Sequence, residues 1–258
     1  MPTNQHTPTL KMRPLAAALC CSALASPFVS QETPEGFSVG LGVAAGNGIF
    51  VGQDEKATAL PIIRYDSNAF SISFPDGARV MLFDQGNFRI SGIVTPRLSA
   101  IGSSDSVDLD GFNRTLTADG GIQLRYNIAQ QTRLSFRAVT ELTNEHGGSE
   151  VNLSVSQALP IGNFPLRLNA GVNWQSEELA AYTYGVSAAD TAASSFAQYE
   201  PGDIIIPHIS IGTAIPINHR ARALADVRAE FLPDEVSDSP IIDEKVSIGA
   251  FIGISYSF

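Results

Sequence analysis

Val246-Ser247-Ile248-Gly249-Ala250-Phe251-Ile252-Gly253-Ile254-Ser255-Tyr256-Ser257-Phe258 ends the chain, and its alternation decides the fold. Val246, Ile248, Ala250, Ile252, Ile254, Tyr256 and Phe258 share one parity, and Ser247, Gly249, Gly253, Ser255 and Ser257 share the other. Phe251 is the exception on the small, polar side. Successive side chains of a strand point to opposite faces, so one surface is apolar and the other polar. An apolar strand face meets a second sheet in a soluble sandwich and lipid in an outer-membrane barrel. The terminal aromatic favours the barrel. An alternating last strand with a C-terminal aromatic is similar to the signal read by the outer-membrane assembly machinery, which makes Tyr256 and Phe258 the candidate assembly signal.

The pattern recurs upstream. Phe37, Val39, Leu41 and Val43 alternate with Ser38, Gly40 and Gly42. A strand near 58–66 turns at Asp66-Ser67-Asn68 into Phe70, Ile72 and Phe74. Pro75-Asp76-Gly77 leads to a short strand at 78–84, and Asp84-Gln85-Gly86-Asn87 turns into Phe88, Ile90, Gly92 and Val94. Further strands are predicted near 117–128, 132–142, 149–159, 164–174, 204–215, 219–231 and 245–258, joined alternately by short turns and longer acidic loops. The reading is an all-β, transmembrane, antiparallel up-and-down barrel of twelve strands. Ten is the alternative if the hairpin at 69–84 does not count, and either even number returns both termini to one side.

Charges follow the parity. Arg89, Arg97, Arg125, Arg133, Arg137, Arg167, Arg222 and Arg228 lie opposite the apolar residues of their strands. An arginine facing lipid at the bilayer midplane costs about 2–4 kcal/mol, so a barrel turns such residues into its lumen. Acidic residues collect in predicted loops, among them Asp54, Asp105, Asp110, Glu177, Glu178 and Asp234. The expectation is a basic interior beneath acidic outer loops. A solvated sandwich face would show the same parity. Tyr65, Phe88, Trp174, Phe231 and Tyr256 near strand ends suit interfacial girdles.

The first 25 residues are read as a cleaved export signal, leaving 26–258 as one barrel domain. Lys11 and Arg13 give the positive start, Pro14 to Leu24 an apolar stretch too short to span as a helix, and Ala23-Leu24-Ala25 a small-x-small cleavage pattern. Both cysteines, Cys20 and Cys21, fall inside it, so the mature chain has no disulfide, thiolate metal site or catalytic thiol. The whole chain carries 16 basic and 26 acidic residues, a formal charge of −10, and losing Lys11 and Arg13 takes the mature charge to −12. That balance argues against nucleic acid, whose binding rests on clustered basic side chains. Mean hydropathy is +0.07. A membrane barrel hides from that measure because its two faces average out.

No motif asks for a cofactor or a metal. Outside the signal the histidines are His146, His208 and His219, without ligand spacing. His208, next in parity to Ser210, is the one position that raises the question of hydrolase chemistry. It sits on the luminal parity, where a hydrogen-bonded polar residue is the simpler reading. No phosphate loop or nucleophile elbow is present, and Gly46-Asn47-Gly48 reads as a turn.

Ala181-Tyr182-Thr183-Tyr184-Gly185-Val186-Ser187-Ala188-Ala189-Asp190 is followed by Ala192-Ala193-Ser194-Ser195 and Tyr199-Glu200-Pro201-Gly202. This resembles the MipA/OmpV (MltA-interacting protein) family, with Tyr182, Tyr184, Gly185, Val186 and Ser187 as the loop motif and Thr183 as a departure from it. Asp238-Ser239-Pro240-Ile241-Ile242, the closing strand, and Leu60-Pro61 through Tyr65 are similar to that family too. The resemblance implies a non-enzymatic protein embedded in outer-membrane lipid of a Gram-negative envelope. In some members it implies a scaffold joining a murein hydrolase of the lytic transglycosylase class to murein synthases, and it brings no catalytic residues. A small-solute, anion-favouring channel and a surface adhesin or receptor remain the alternatives. Eight-stranded barrels are filled by side chains and sixteen-stranded ones are open, so twelve strands leaves the lumen undecided.

Overall fold

The C-terminal strand finds its partner at the other end of the chain. In this computed structural model, which describes residues 35–53, 55–98, 107–109, 111, 112, 114–162 and 164–258, β12 (Val246–Ser257) pairs antiparallel with β1 (Gly36–Gly46), Ser38 opposite Ser257 and Val43 opposite Ile252. The remaining strands are β2 (Lys56–Asp66), β3 (Phe70–Phe74), β4 (Gly77–Gln85), β5 (Phe88–Arg97), β6 (Thr117–Ala129), β7 (Thr132–Glu141), β8 (Ser149–Ile161), β9 (Phe164–Gln175), β10 (Ile204–Pro216) and β11 (Ala221–Phe231). Each pairs with its sequence neighbours, so twelve strands form a closed antiparallel barrel. Closure settles sandwich against barrel and twelve against ten. The expected signal segment 1–25 lies outside the described residues, as do Asp54, Asp105, Asp110 and Asn163.

The outward parity is apolar all round. Leu41, Ile63, Ile72, Leu82, Val94, Ile122, Leu153, Val172, Ile205, Ile209, Val227, Ile252 and Ile254 are exposed. Soluble monomers rarely leave apolar patches beyond a few hundred Å² open, so a continuous belt of this kind is a lipid-facing surface. At the rim that carries both ends of the barrel, aromatic rings meet stacked, tilted or edge to face: Phe37 with Phe258, Tyr65 with Phe70, Phe83 with Phe88, Phe88 with Tyr126, and Tyr256 with Phe258. Short turns share this rim. Gly86 and Gly162 adopt φ of +56° and +59° there, a left-handed backbone that a side chain would strain.

Phe251, the exception to the alternation, is an inward residue that the sequence accommodates. A Cβ at Gly42 would meet its ring at 2.3 Å, so the missing side chain makes the room it occupies. Phe251 packs there with Ala44 and Leu60, flanked by Ile62, Leu98 and Leu224, as an apolar cluster inside the barrel. The wall itself is uneven. β3 reaches only Ile63–Asp66 of β2, and Pro61 lies on the stretch of β2 beyond it, in keeping with the preference of proline for strand edges.

Two expectations change. The stretches after β9 and β11, read as loops, contain helices α1 (Glu177–Tyr184), α2 (Ala188–Ala193) and α3 (Asp234–Ser237). These helices of four to eight residues are too short for a helical period to register against the strand pattern around them. The interior is also not uniformly basic. Asp119, Glu150 and Glu230 are buried on the inward parity near the long-loop end.

Candidate functional site: the lumen and its cap

The long loops fold over one mouth of the barrel and pack. Ile49 and Phe50 come from the β1–β2 loop, Leu109 and Phe112 from β5–β6, Ala180, Tyr184 and Val186 from β9–β10, and Leu232, Val236, Ile241 and Ile242 from β11–β12. They close around Ile204 and Ile206, which β10 turns inward, with Phe196 and Tyr199 packed alongside. A backbone bridge from Phe50 to Ile242 ties the β1–β2 loop to the β11–β12 loop, and one from Val186 to Tyr199 folds the β9–β10 loop on itself. Burial of this kind stabilises by about 25 cal/mol per Å² of apolar surface, which makes the cap a small core of its own.

The loop motif builds that cap. Tyr182 lies on α1 and Tyr184 ends it, and Gly185 donates its N–H to the Ala181 carbonyl at 2.9 Å. A Cβ on Gly185 would sit 2.5 Å from that same oxygen, so glycine is needed for the close approach. Val186 is fully buried, and Ser187 caps α2 reciprocally with Asp190. Arg114 then joins the pieces. Its guanidinium donates to the Tyr182 carbonyl at 2.6 Å and to the Asp190 carboxylate at 2.9 Å, and lies over the rings of Phe112 and Tyr182. Burial pushes the Asp190 carboxyl up, and the hydrogen bonds from Arg114 and Ser187 outweigh it, so the carboxyl is held below its ordinary value. His146 stacks on Tyr182 at 4.8 Å between centroids.

Under the cap the inward charges are paired. Arg97 donates to Asp119 at 2.6 Å and to Glu150 at 2.9 Å, and Arg137 donates to Glu150 at 3.1 Å and to Thr95 at 2.8 Å. Arg228 meets Glu230 at 2.9 Å. His208 is buried near Glu230, with its Nδ1 lacking a hydrogen-bond partner among the described residues.

Toward the short-turn end the arrangement changes. Arg64 is tied to Asp66, Arg89 to Asp84 at 2.7 Å, and Arg133 to the Asn127 amide oxygen at 2.9 Å. Nε of Arg79, Nε of Arg167, and both Nε and Nη2 of Arg125 are buried with no partner among the described residues. Beside them Arg64, Arg222 and Asp76 share a pocket walled by Leu60, Ile62, Phe74, Leu224 and Phe251. About 80 Å³ of it is open to the centre of a water molecule, room for several waters.

All eight arginines singled out from the sequence occupy inward positions, but the structure divides them: Arg97, Arg137 and Arg228 belong to the paired network, and Arg89, Arg125, Arg133, Arg167 and Arg222 to the other end. Tyr256 and Phe258 stand on the aromatic rim. Sequence reasoning passed over Arg64, Arg79, Asp119, Glu150 and Glu230, although parity marks Glu150 against Val151 and Leu153 as clearly as it marks the arginines. Arg114 and Asp190 carried no such signal, because loop residues have no period.

Known proteins share this sequence over most of its length. The chain is 26% identical over 241 residues to the putative outer membrane protein YiaT of Escherichia coli K12, spanning 91% of this chain and 96% of that one. It is 24% identical over 226 residues to the MltA-interacting protein of the same organism, with 86% and 90% covered. Among solved structures, the KdgM porin aligns over 86% of this chain and 99% of its own, at 10% identity and a TM-score of 0.47. The family model described as MltA-interacting protein MipA matches residues 39–258, from the first strand of the barrel to its terminal phenylalanine, and the chain belongs to that family of outer-membrane β-barrels.

Proposed function

We propose that this protein is a non-catalytic platform of the outer membrane, exported through a cleaved signal and docking murein enzymes on its periplasmic side. The observation that carries the reading is the asymmetry of the two ends. The outer mouth is roofed by a packed loop core, an arrangement suited to closing a barrel, whereas the other rim offers compact turns beside the chain end. A relative sharing most of the chain is named for its interaction with MltA. The docking surface comprises Asp66-Ser67-Asn68, Asp84 to Asn87, residues 160–163 and Pro216 to Arg220. Asn218 stiffens the last of these by accepting from the N–H groups of Arg220 and Ala221 at 2.9 and 2.8 Å. A stable interface buries about 1,200–2,000 Å² in total, which small turns supply only jointly, so binding is weak or multivalent.

The test is in-cell crosslinking from residues placed in these turns, with positions in 176–203 as controls. A lytic transglycosylase or murein synthase recovered from the turns alone supports docking. Recovery of none in cells where the barrel is assembled removes it. One observation favours a second reading, an anion-preferring channel: the unpaired arginines of the periplasmic half would focus a positive field across a narrow passage. Single-channel recording separates the two, since a platform shows no steady conductance and a channel of this charge shows a reversal potential favouring anions.

A further inference from the structure

We propose that the periplasmic half of the lumen contains a binding site for a small phosphate-type oxyanion, centred on Arg125. Arg125 is 9% exposed, and its Nε and Nη2 donors are buried without a partner among the described residues. Its register neighbours are Arg89 on β5 and Ser135 on β7, so the sheet places no carboxylate opposite it. The strongest charge effects on it come from Arg79, Arg133, Arg89 and Arg64, which are all positive.

The surrounding arginines do not share this condition equally. Arg64 is held by Asp66 and Arg89 by Asp84, and Arg79 has Asp76 and Asp66 within electrostatic reach. The uncompensated charge therefore falls on Arg125, with the guanidinium of Arg133 on the adjacent β7 and the Nε of Arg79, without a partner among the described residues, two strands away on β4. A buried guanidinium whose N–H groups go unmet is costly, and the cost falls when an acceptor of opposite charge enters. Guanidinium donors carried on β4, β6 and β7 suit an anion with several oxygens around one centre better than a single planar carboxylate, and a phosphate monoester carries about −1.5 to −2 charge at neutral pH. The site requires neither docking of an enzyme nor permeation, and stands or falls apart from both. Free phosphate and the headgroup phosphate of a lipid present the same chemistry.

The experiment uses the full barrel folded in a phosphate-free detergent and titrated with inorganic phosphate at constant ionic strength, read by calorimetry and by thermal unfolding. Saturable binding and a rise in Tm are expected for the native chain. Arg125→Met should weaken binding at least about tenfold, the loss of one charged hydrogen bond, and should abolish the rise in Tm. Lys245→Gln, whose side chain is 76% exposed beside Asp234 at the long-loop end, should bind as the native chain does. If Arg125→Met does not fold, Arg79→Met serves in its place, and native mass spectrometry of the unaltered protein reads bound phosphate directly. Binding of phosphatidylglycerol in mixed micelles but not of free phosphate, with the same loss in the variant, assigns the site to a lipid headgroup. Absence of binding to both, or equal binding by Arg125→Met, overturns the site.

Discussion

Arg97, Arg137 and Arg228 beneath the cap each contact a carboxylate at 3.1 Å or less, while Arg125 and Arg167 toward the short turns keep buried N–H groups without a partner among the described residues. Both sets occupy the same kind of position, an inward residue on a long strand. The difference lies in their neighbours. Outer-half strands begin or end on acids, Asp119, Glu150 and Glu230, which the register sets beside the arginines, and the folded loops above close the space. At the other end Asp66 and Asp84 hold Arg64 and Arg89, but the register neighbours of Arg125 are Arg89 and Ser135, and those of Arg167 are Gly212 and Ala158. One half is internally neutralised and capped; the other is neutralised only in part. Lumen parity thus says where a charge goes, and the neighbours, on the same strand for Arg228 and Arg64 and across strands for Arg97 and Arg137, say whether it is satisfied.

The largest expected effect concerns assembly at the open end. Removing Phe258, which stacks on Phe37 and meets Tyr256, should lower barrel levels in the outer membrane and leave unfolded chain in the periplasm, as read by fractionation and heat-modifiability. Normal levels would separate the rim from assembly. Next in size is a pair of substitutions with opposite outcomes. Glu150→Gln leaves Arg97 and Arg137 short of their shared acid and should destabilise the barrel by about 3–5 kcal/mol, whereas Arg125→Met in anion-free buffer should be neutral or stabilising by up to about 4 kcal/mol. Denaturant unfolding in detergent measures both, and equal effects would break the contrast between the halves.

A smaller, local effect is expected in the cap. The Asp190 carboxyl is held below its ordinary 3.8, so its contribution is complete above that value and is lost as pH falls through the lower folded-state value. Acidification below about pH 4 should therefore raise hydrogen exchange in 176–203 before it affects the strands, and Asp190→Asn should show the raised exchange already at neutral pH. Protection of that segment unchanged by either would mean that the cap rests on its apolar contacts alone. The smallest perturbation is cysteine labelling at 247 and 248 in turn. A bulky water-soluble reagent should discriminate the positions, with 248 shielded by lipid, because a shift of one residue exchanges faces. Preferential labelling at 248 would reverse the wall.

Most of the wall is legible in the order of the residues alone. The twelve strands emerge because period-two alternation is local: the parity of Ile248, Ile252 and Ile254 is fixed by the strand itself, and turn residues such as Asp84 to Asn87 fix where it stops. The arginines follow by the same rule. The cap is illegible for the complementary reason. Arg114 meets Asp190 from 76 positions away, and Phe50 meets Ile242 across nearly the whole chain, contacts that no repeat in the sequence encodes. Phe251 stands between these cases, since its parity puts it inside, and only the barrel shows that Gly42 leaves space for its ring.

The amino-acid sequence by itself determined where the strands run and the parity of the residues along them, since alternation and turn chemistry act between near neighbours, while closure into a barrel of twelve strands came from the tertiary structure. Tertiary structure alone decided which inward charges are neutralised, that the outer loops close into a core, and that Arg125 is left without an acid. Those outcomes depend on the register between strands and on loops meeting across the mouth, and both are set only when the last strand pairs with the first.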